Sequence, residues 1–482
     1  MAREKMSTVD TAWLRMDSTS NLMMIVGIHV FETPLELNKL QAVVEERMLA
    51  FRRFKQKVEV DAAGAWWVDD EHFDLSYHVK TLRLTPSVKG EKTGTEADLQ
   101  NLVARLAMEP LDPKRSLWQF CLVENYLGSN ALVARIHHCI ADGIALVAVT
   151  MSLTDSAAPM PMRKASEKDP NPWKPYIQPL TKGTIKAISA SGSAWAKSMQ
   201  LLANPDKLVD YAQVGSQVLK DAVKIALMPN DTPTKLKGKP GTAKAVAWNT
   251  PLPLDEVKAV CRVLNCSIND VLLSCVAGAL RNYLLKYEPV AKDTEMRAMV
   301  PVNLRPLADA YKLGNKFGLV PLTLPVGMIN PIARLQEVQA RMTALKEGYQ
   351  AFLSFGVLGL VGATPKVVQT QVLDILARKA SAVMTNVPGP QTPLYLAGAK
   401  VKQMLFWVPQ SGDIGLGVSI LSYNGGVQFG VITDTELCDD PQAIIDGFEP
   451  EFNKLVYTIS MLPPEAFSGE LDSEKIENAL FS

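Results

Sequence analysis

His137-His138-Cys139-Ile140-Ala141-Asp142-Gly143 joins two apolar runs. Ala131-Leu-Val-Ala-Arg-Ile136 before it is short and apolar and reads as a buried strand; Ile144-Ala-Leu-Val-Ala-Val149 after it reads as the start of a buried helix. A polar, titratable turn between two buried elements is where a scaffold can hold reacting groups still. The chain has 5 histidines, and none follows residue 138. Histidine chemistry must therefore come from His29, His72, His78 or this pair.

Successive side chains of a strand point to opposite faces. While the strand stays regular, His137 and His138 cannot enter the same cleft: one faces the working space and the other is structural. Arg135 shares a face with His137, and Ile136 and Ala134 share one with His138. Asp142 either orients an imidazole or pins the turn to a distant arginine, and Gly143 permits a tight start to the helix. A neutral imidazole can take a proton from an alcohol, amine or thiol at neutral pH. The bland alternative is a pair of satisfied core histidines.

A chain of 482 residues is too long for one ordinary core, so two or three domains are expected. Lys and Arg total 50 and so do Asp and Glu, so no global field draws in nucleic acid. The six cysteines (121, 139, 261, 266, 275 and 438) form no C-x-x-C, which fits reduced thiols in a cytoplasmic protein. The start, Met1-Ala-Arg-Glu-Lys-Met6, shows no signal peptide. No run reaches the roughly 20 apolar residues of a membrane span; the longest greasy stretch, residues 351–363, contains three glycines.

Strands and helices alternate through residues 1–155. The pattern predicts a helical turn at 9–14, a strand at 22–31, an amphipathic helix at 97–108, and neighbouring strands at 117–124 and 131–138. Six prolines between Pro159 and Pro179 then mark a linker. Residues 182–228 have helical composition. From Lys182 to Lys244 there are ten lysines against four aspartates, with no arginine or glutamate. This basic run reads as a solvated linker face. A second unit with similar proportions of strand and helix follows from 243 to 482. It includes helices at 255–264, 267–287, 330–349 and 366–378, strands at 296–300 and 380–387, a hairpin around Asn424-Gly425-Gly426, and a closing helix at 441–462 broken at Pro450. The expected division is thus 1–155, a connecting region 156–242, and 243–482, in a mixed α/β (α+β) chain of two similar domains.

Ser267-Ile-Asn-Asp270 has the form of a capping box. It would place Asn269 in a first helical turn, where free amides favour negative charge, so Asn269 is a candidate for contacting an oxyanion; the alternative is that the box merely starts a helix. No G-x-S-x-G elbow, phosphate-binding loop, dinucleotide fingerprint or H-E-x-x-H zinc motif is present. Cys139 would point away from His138 on a strand, which argues against a thiol nucleophile.

His137 to Gly143 resembles the HHxxxDG motif of the CoA-dependent acyltransferase superfamily, which includes chloramphenicol acetyltransferase, carnitine acyltransferases and peptide-synthetase condensation domains. Six other stretches are similar to the bacterial wax ester synthase/acyl-CoA:diacylglycerol acyltransferase family. They are Val9-Asp-Thr-Ala-Trp-Leu14, Phe51-Arg-Arg-Phe54, Ser116-Leu-Trp118, Asn269-Asp-Val-Leu-Leu273, Val300-Pro-Val-Asn-Leu-Arg305 and Asn386-Val-Pro-Gly-Pro390. The resemblance covers nearly the whole chain. It departs from the family where Pro-Leu-Trp is replaced by Ser116-Leu117-Trp118, and where Met23-Met24 stands for a Met-His pair.

The resemblance implies two chloramphenicol-acetyltransferase-like domains, mixed sheets flanked by helices, and an active-site tunnel between them. It implies His138 as general base, His137 in support, Asn269 near the reacting centre, and Asp142 as a structural acid paired with Arg305, Arg52 or Arg53. The implied partners are an acyl-CoA substrate and a fatty alcohol or diacylglycerol, with no bound cofactor or metal. The setting would be cytoplasmic, with docking on a membrane or lipid inclusion, and the basic run Lys182–Lys244 would then hold CoA phosphates or lie on an anionic lipid surface. Competing readings are a condensation-type domain using carrier-protein thioesters, and a non-catalytic lipid-coating protein.

Overall fold

A computed structural model describes residues 3–155, 228–304, 313–346, 354 and 366–461. The proline-rich linker, the helical composition of 182–227, Arg305 and most of the glycine-bearing stretch 351–363 lie outside the described residues.

Two seven-stranded mixed sheets make the frame. The first runs, in spatial order, Val79–Arg83, Trp118–Tyr126, Ser129–His137, Met24–Phe31, Ala399–Trp407, Tyr395–Leu396 and Thr154–Asp155. Its hairpin Trp118–Tyr126/Ser129–His137 turns at Leu127 and Gly128, both at positive φ, the twist that a tight hairpin needs. The second sheet runs Leu252–Pro253, Gly426–Asp434, Leu416–Tyr423, Ala382–Pro388, Met296–Asn303 and Phe317–Leu324, with Lys244–Trp248 also paired to Gly426–Asp434. The Asn-Gly-Gly turn joins two of these strands as the sequence predicts, with Asn424 and Gly425 at positive φ.

The sheets do not divide as the chain does. Ala399–Trp407 comes from the C-terminal half yet pairs antiparallel with Met24–Phe31, placing Trp407 opposite Val26. A boundary at residue 243 therefore separates two lengths of chain, not two sheets. Trp248, Trp407 and Ile432 share one buried cluster with Met24, Val26 and Val133, so the halves are packed through a common core.

The C-terminal core is built on the helix Ile268–Leu284. Its capping box forms in full: Ser267 Oγ accepts from Asp270 N at 3.2 Å and Asp270 Oδ2 accepts from Ser267 N at 2.9 Å. Beside it runs Gln442–Ser460, which passes through Pro450 without ending there; the expected break is absent because apolar packing of Phe448, Phe452 and Leu455 continues across it. A buried ion pair joins Arg334, on the helix Pro331–Lys346, to Glu451 of Gln442–Ser460, and Arg334 Nε also donates to Ser274 O of Ile268–Leu284 at 3.0 Å. Gly278 leaves room for it, since an added methyl would run into the Glu451 carboxyl. No single helix among the described residues is long and apolar enough to cross a membrane. Leu254–Val263 and Ile268–Leu284 would reach that length only together, and they meet at 101°.

Candidate active site

The strand Ser129–His137 is prolonged by one residue: His138 N donates to Met23 O at 2.7 Å, while His137 N donates to Leu117 O at 2.9 Å. The chain then turns and Asp142 caps the helix Gly143–Leu153, its Oδ1 accepting from Ala145 N at 2.9 Å. The second half of the molecule clamps this turn. Gly314 N donates to Ile140 O at 3.2 Å, and Lys316 N donates to Asp142 Oδ2 at 2.9 Å. Asp142 thus holds a helix end and a strand lead-in together. Of the arginines offered as its partner, Arg52 is engaged by Asp69 and Arg53 by Glu4; Arg305 lies outside the described residues.

The two imidazoles part, as the pleat requires. His137 Nδ1 accepts the Cys139 N–H at 3.1 Å. Its Nε2 lies 3.3 Å from Asp17 Oδ2, an ion-pair distance without hydrogen-bond alignment. The Cys139 N–H needs the lone pair of Nδ1, so the ring's proton sits on Nε2, the nitrogen near Asp17. With both nitrogens committed, His137 is poorly suited to accept another proton.

His138 meets different neighbours. Trp13 stacks on it with ring centroids 4.2 Å apart and planes 15° apart. Phe317 lies 5.3 Å away, tilted by 40°. Its Nδ1 is 2.9 Å from Asn315 Oδ1. Burial lowers its pKa to about 4; its bond to Asn315 and the nearby Asp142 charge pull the other way and only partly offset this. The ring is thus neutral across the physiological range, the state a proton acceptor needs.

Asn315 is itself held by Asp10. Asn315 Nδ2 donates to Asp10 Oδ1 and to His138 O, each at 2.8 Å, and Asn315 N donates to the same carboxyl oxygen at 3.2 Å. Asp10 stands in the first turn of the helix Thr8–Arg15, capped by Ser7. Burial lifts its carboxyl above the usual range, while the donors of Asn315 and Ser7 pull it back. Asp10, Trp13, Asn315 and Phe317 are absent from the site read from the sequence. Asp10 and Trp13 sit in a stretch noted there only for its resemblance. Asn315 and Phe317 carried no local signal, because Asn315 reaches His138 across 177 residues of chain.

Asn269 occupies the first turn of the helix Ile268–Leu284, where Asn386 Nδ2 donates to its Oδ1. Its own Nδ2 is left pointing away from that bond. The strand bearing Asn386 runs parallel to Met296–Asn303, but the two pair only at Ala298–Ala382 and Met299–Val383. Beyond these pairs the strands separate toward their C-terminal ends, the position at which open α/β sheets receive ligands. Phe317 pairs with Asn303 at that same end. Among the described residues no hydrogen bond joins Asn269 to His138. Asn269 meets one arm of this fork through Asn386, and Phe317, whose ring centroid lies 5.3 Å from that of His138, pairs with the other arm at Asn303. The two residues supply a neutral base and an amide donor, groups that acyl transfer to a hydroxyl uses.

Residues 6–272 match the wax ester synthase/diacylglycerol acyltransferase catalytic domain, and residues 313–456 match the C-terminal domain of the same family. The probable diacylglycerol O-acyltransferase tgs1 of Mycobacterium tuberculosis H37Rv is 26% identical over 465 residues, covering 94% of this chain and 95% of that one. The putative diacylglycerol O-acyltransferase Rv3740c of the same strain is 26% identical over 476 residues, covering 95% and 100%. Among solved structures, the wax ester synthase/diacylglycerol acyltransferase of Marinobacter aquaeolei VT8 superposes with a TM-score of 0.65 at 20% identity, covering 95% of this chain and all of that one. The first condensation domain of the calcium-dependent antibiotic synthetase gives 0.59 at 14% identity, covering 94% and 95%. These two share the two-domain acyltransferase fold with this chain.

Proposed function

The chain belongs to the wax ester synthase/diacylglycerol acyltransferase family and is an acyltransferase, and from that premise we propose that it moves a fatty acyl group from acyl-CoA to a long-chain alcohol or diacylglycerol with His138 as general base. The observation that carries this reading is the bond from His138 Nδ1 to Asn315 Oδ1, which leaves Nε2 with the free lone pair. A hydroxyl entering the fork gives its proton to Nε2 as its oxygen attacks the thioester carbonyl. The tetrahedral oxyanion collapses, the C–S bond breaks, and the departing CoA thiolate recovers the proton from Nε2. The ester and free CoA leave and the base is restored, with no acyl-enzyme.

Asn269 is the proposed donor to the oxyanion, since Asn386 engages its carbonyl oxygen and leaves the NH2 to the substrate. Asp142 works through position, fixing the turn against Lys316. No resident cofactor or metal enters these steps. The acceptors are poorly soluble in water, and the basic run Lys182–Lys244 supports docking on an anionic lipid surface; liposome flotation insensitive to salt would contradict that electrostatic docking.

The test is purified protein with palmitoyl-CoA and separate additions of hexadecanol, diacylglycerol and a long-chain amine, following free CoA and the lipid product. Ester formation with the hydroxyl acceptors is expected. Amide formation alone, or turnover only with a carrier-protein thioester, would move the reaction to the condensation class. Binding without CoA release would make the chain a lipid-binding protein.

A further inference from the structure

We infer that Asn315 and Asp10 are positioning residues that set the tautomer of His138, an inference that rests on His138 acting as the base. The amide of Asn315 has one orientation open to it. Its NH2 group lies against Asp10 Oδ1 and the backbone oxygen of His138, both at 2.8 Å. The backbone oxygen can only accept, and Asp10 Oδ1 also receives the Asn315 N–H. A flipped amide would set oxygen against oxygen at both contacts. Asn315 Oδ1 must therefore face His138, and an amide oxygen can only accept, so Nδ1 carries the proton and Nε2 does not.

Two elements from opposite halves share this work. The helix Thr8–Arg15 contributes Asp10 to the amide and Trp13 to the ring face. The lead-in to Phe317–Leu324 contributes Asn315 to the ring edge and Phe317 to its surroundings. The aromatic pair fixes the plane of the imidazole; the amide fixes its rotation in that plane and its proton. In this role neither Asp10 nor Asn315 needs to touch substrate. The base takes its working form only when the second half is docked on the first. Among the described residues, the charged or titratable groups around the ring are Asp10, Asp142 and His137.

The experiment uses the full-length enzyme labelled with 15N-histidine, with kinetics in parallel. In the wild type, His138 is expected to show a protonated Nδ1 and a bare Nε2; the opposite tautomer would overturn the inference. Asn315→Leu should lose that signature and lower kcat by about 10²-fold while leaving KM for acyl-CoA within about threefold. The exchange variant Asp10→Asn with Asn315→Asp keeps an acceptor on Nδ1 but makes it a carboxylate. It should restore the Nδ1–H signal and recover part of kcat, because the second carboxylate oxygen now faces the His138 backbone oxygen in place of the amide NH2. It should also move the acidic limb of kcat/KM to higher pH than in the wild type, because a carboxylate beside the ring favours its charged form. A merely structural amide would not produce that displacement, and an unmoved limb would overturn the inference even if Asn315→Leu failed to fold. If His138→Ala is inactive while Asn315→Leu turns over normally, the relay falls and the base stands. If His138→Ala is active, both fall.

Discussion

Lowering the pH puts a proton on His138, and the structure sets what that costs. The ring is buried between Trp13 and Phe317, and its pKa falls from 6.5 to about 4. That gap corresponds to about 3 kcal/mol favouring the neutral ring. His29, buried in the strand Met24–Phe31 with no partner on Nδ1, is lowered by burial to about 4 as well. The sign follows from proton uptake. Between pH 6.5 and 4 the unfolded chain protonates these rings and the folded chain does not, so stability present above 6.5 is lost as pH falls through that window. Two such rings cost together about 6 kcal/mol at the lower end, a large share of the 5–15 kcal/mol typical of a folded domain. The assay is kcat/KM for palmitoyl-CoA from pH 4 to 8, with ester measured by chromatography and tryptophan fluorescence recorded at every point. Activity should hold flat through pH 6.5 and fall only below about pH 5, or together with unfolding. His29→Leu removes one of the two penalties and should move acid unfolding to lower pH. An acidic limb near 6.5 in protein whose fluorescence is still native would refute the reasoning, because it would describe an ordinary, solvated imidazole.

Other perturbations separate position from chemistry. Asp142→Ala removes the cap on Ala145 N and the acceptor for Lys316 N. It should cost about 1 kcal/mol or more in urea denaturation and reduce kcat severalfold or more, while Asp142→Asn keeps the cap and retains more of both. Glu451→Leu leaves the Arg334 guanidinium buried without its carboxylate; chemical denaturation should show a loss of about 3–5 kcal/mol, with KM unchanged in whatever protein remains folded.

What could be read from the sequence was local. The hydroxyl and acid three residues apart at Ser267 and Asp270, the Asn-Gly-Gly turn, and the apolar runs flanking His137 and His138 each carry their structure in a few neighbouring residues, and each forms as expected. The separation of the two imidazoles followed from the pleat alone. What could not be read was long-range. Ala399–Trp407 alternates like any strand of the C-terminal half, and nothing in its composition says that its partner is Met24–Phe31. Asp10 looks like an ordinary first-turn acid; only the fold brings Asn315, 305 residues away, against it. The bonds described for the Asp142 carboxylate go to the backbone of Ala145 and Lys316, across 174 residues in the second case; Arg305, one of the arginines expected beside it, lies outside the described residues. Asn269 was placed correctly in a first turn, but its bond to Asn386 depends on a strand more than a hundred residues away.

Everything in the proposed reaction passes through one nitrogen, so the most direct test is turnover by His138→Ala. The variant should fold, bind palmitoyl-CoA as the wild type does, and release CoA to hexadecanol or diacylglycerol at a rate lower by about 10²–10⁴-fold, the range of a lost general base. Near-normal ester formation by a folded His138→Ala protein would contradict the account.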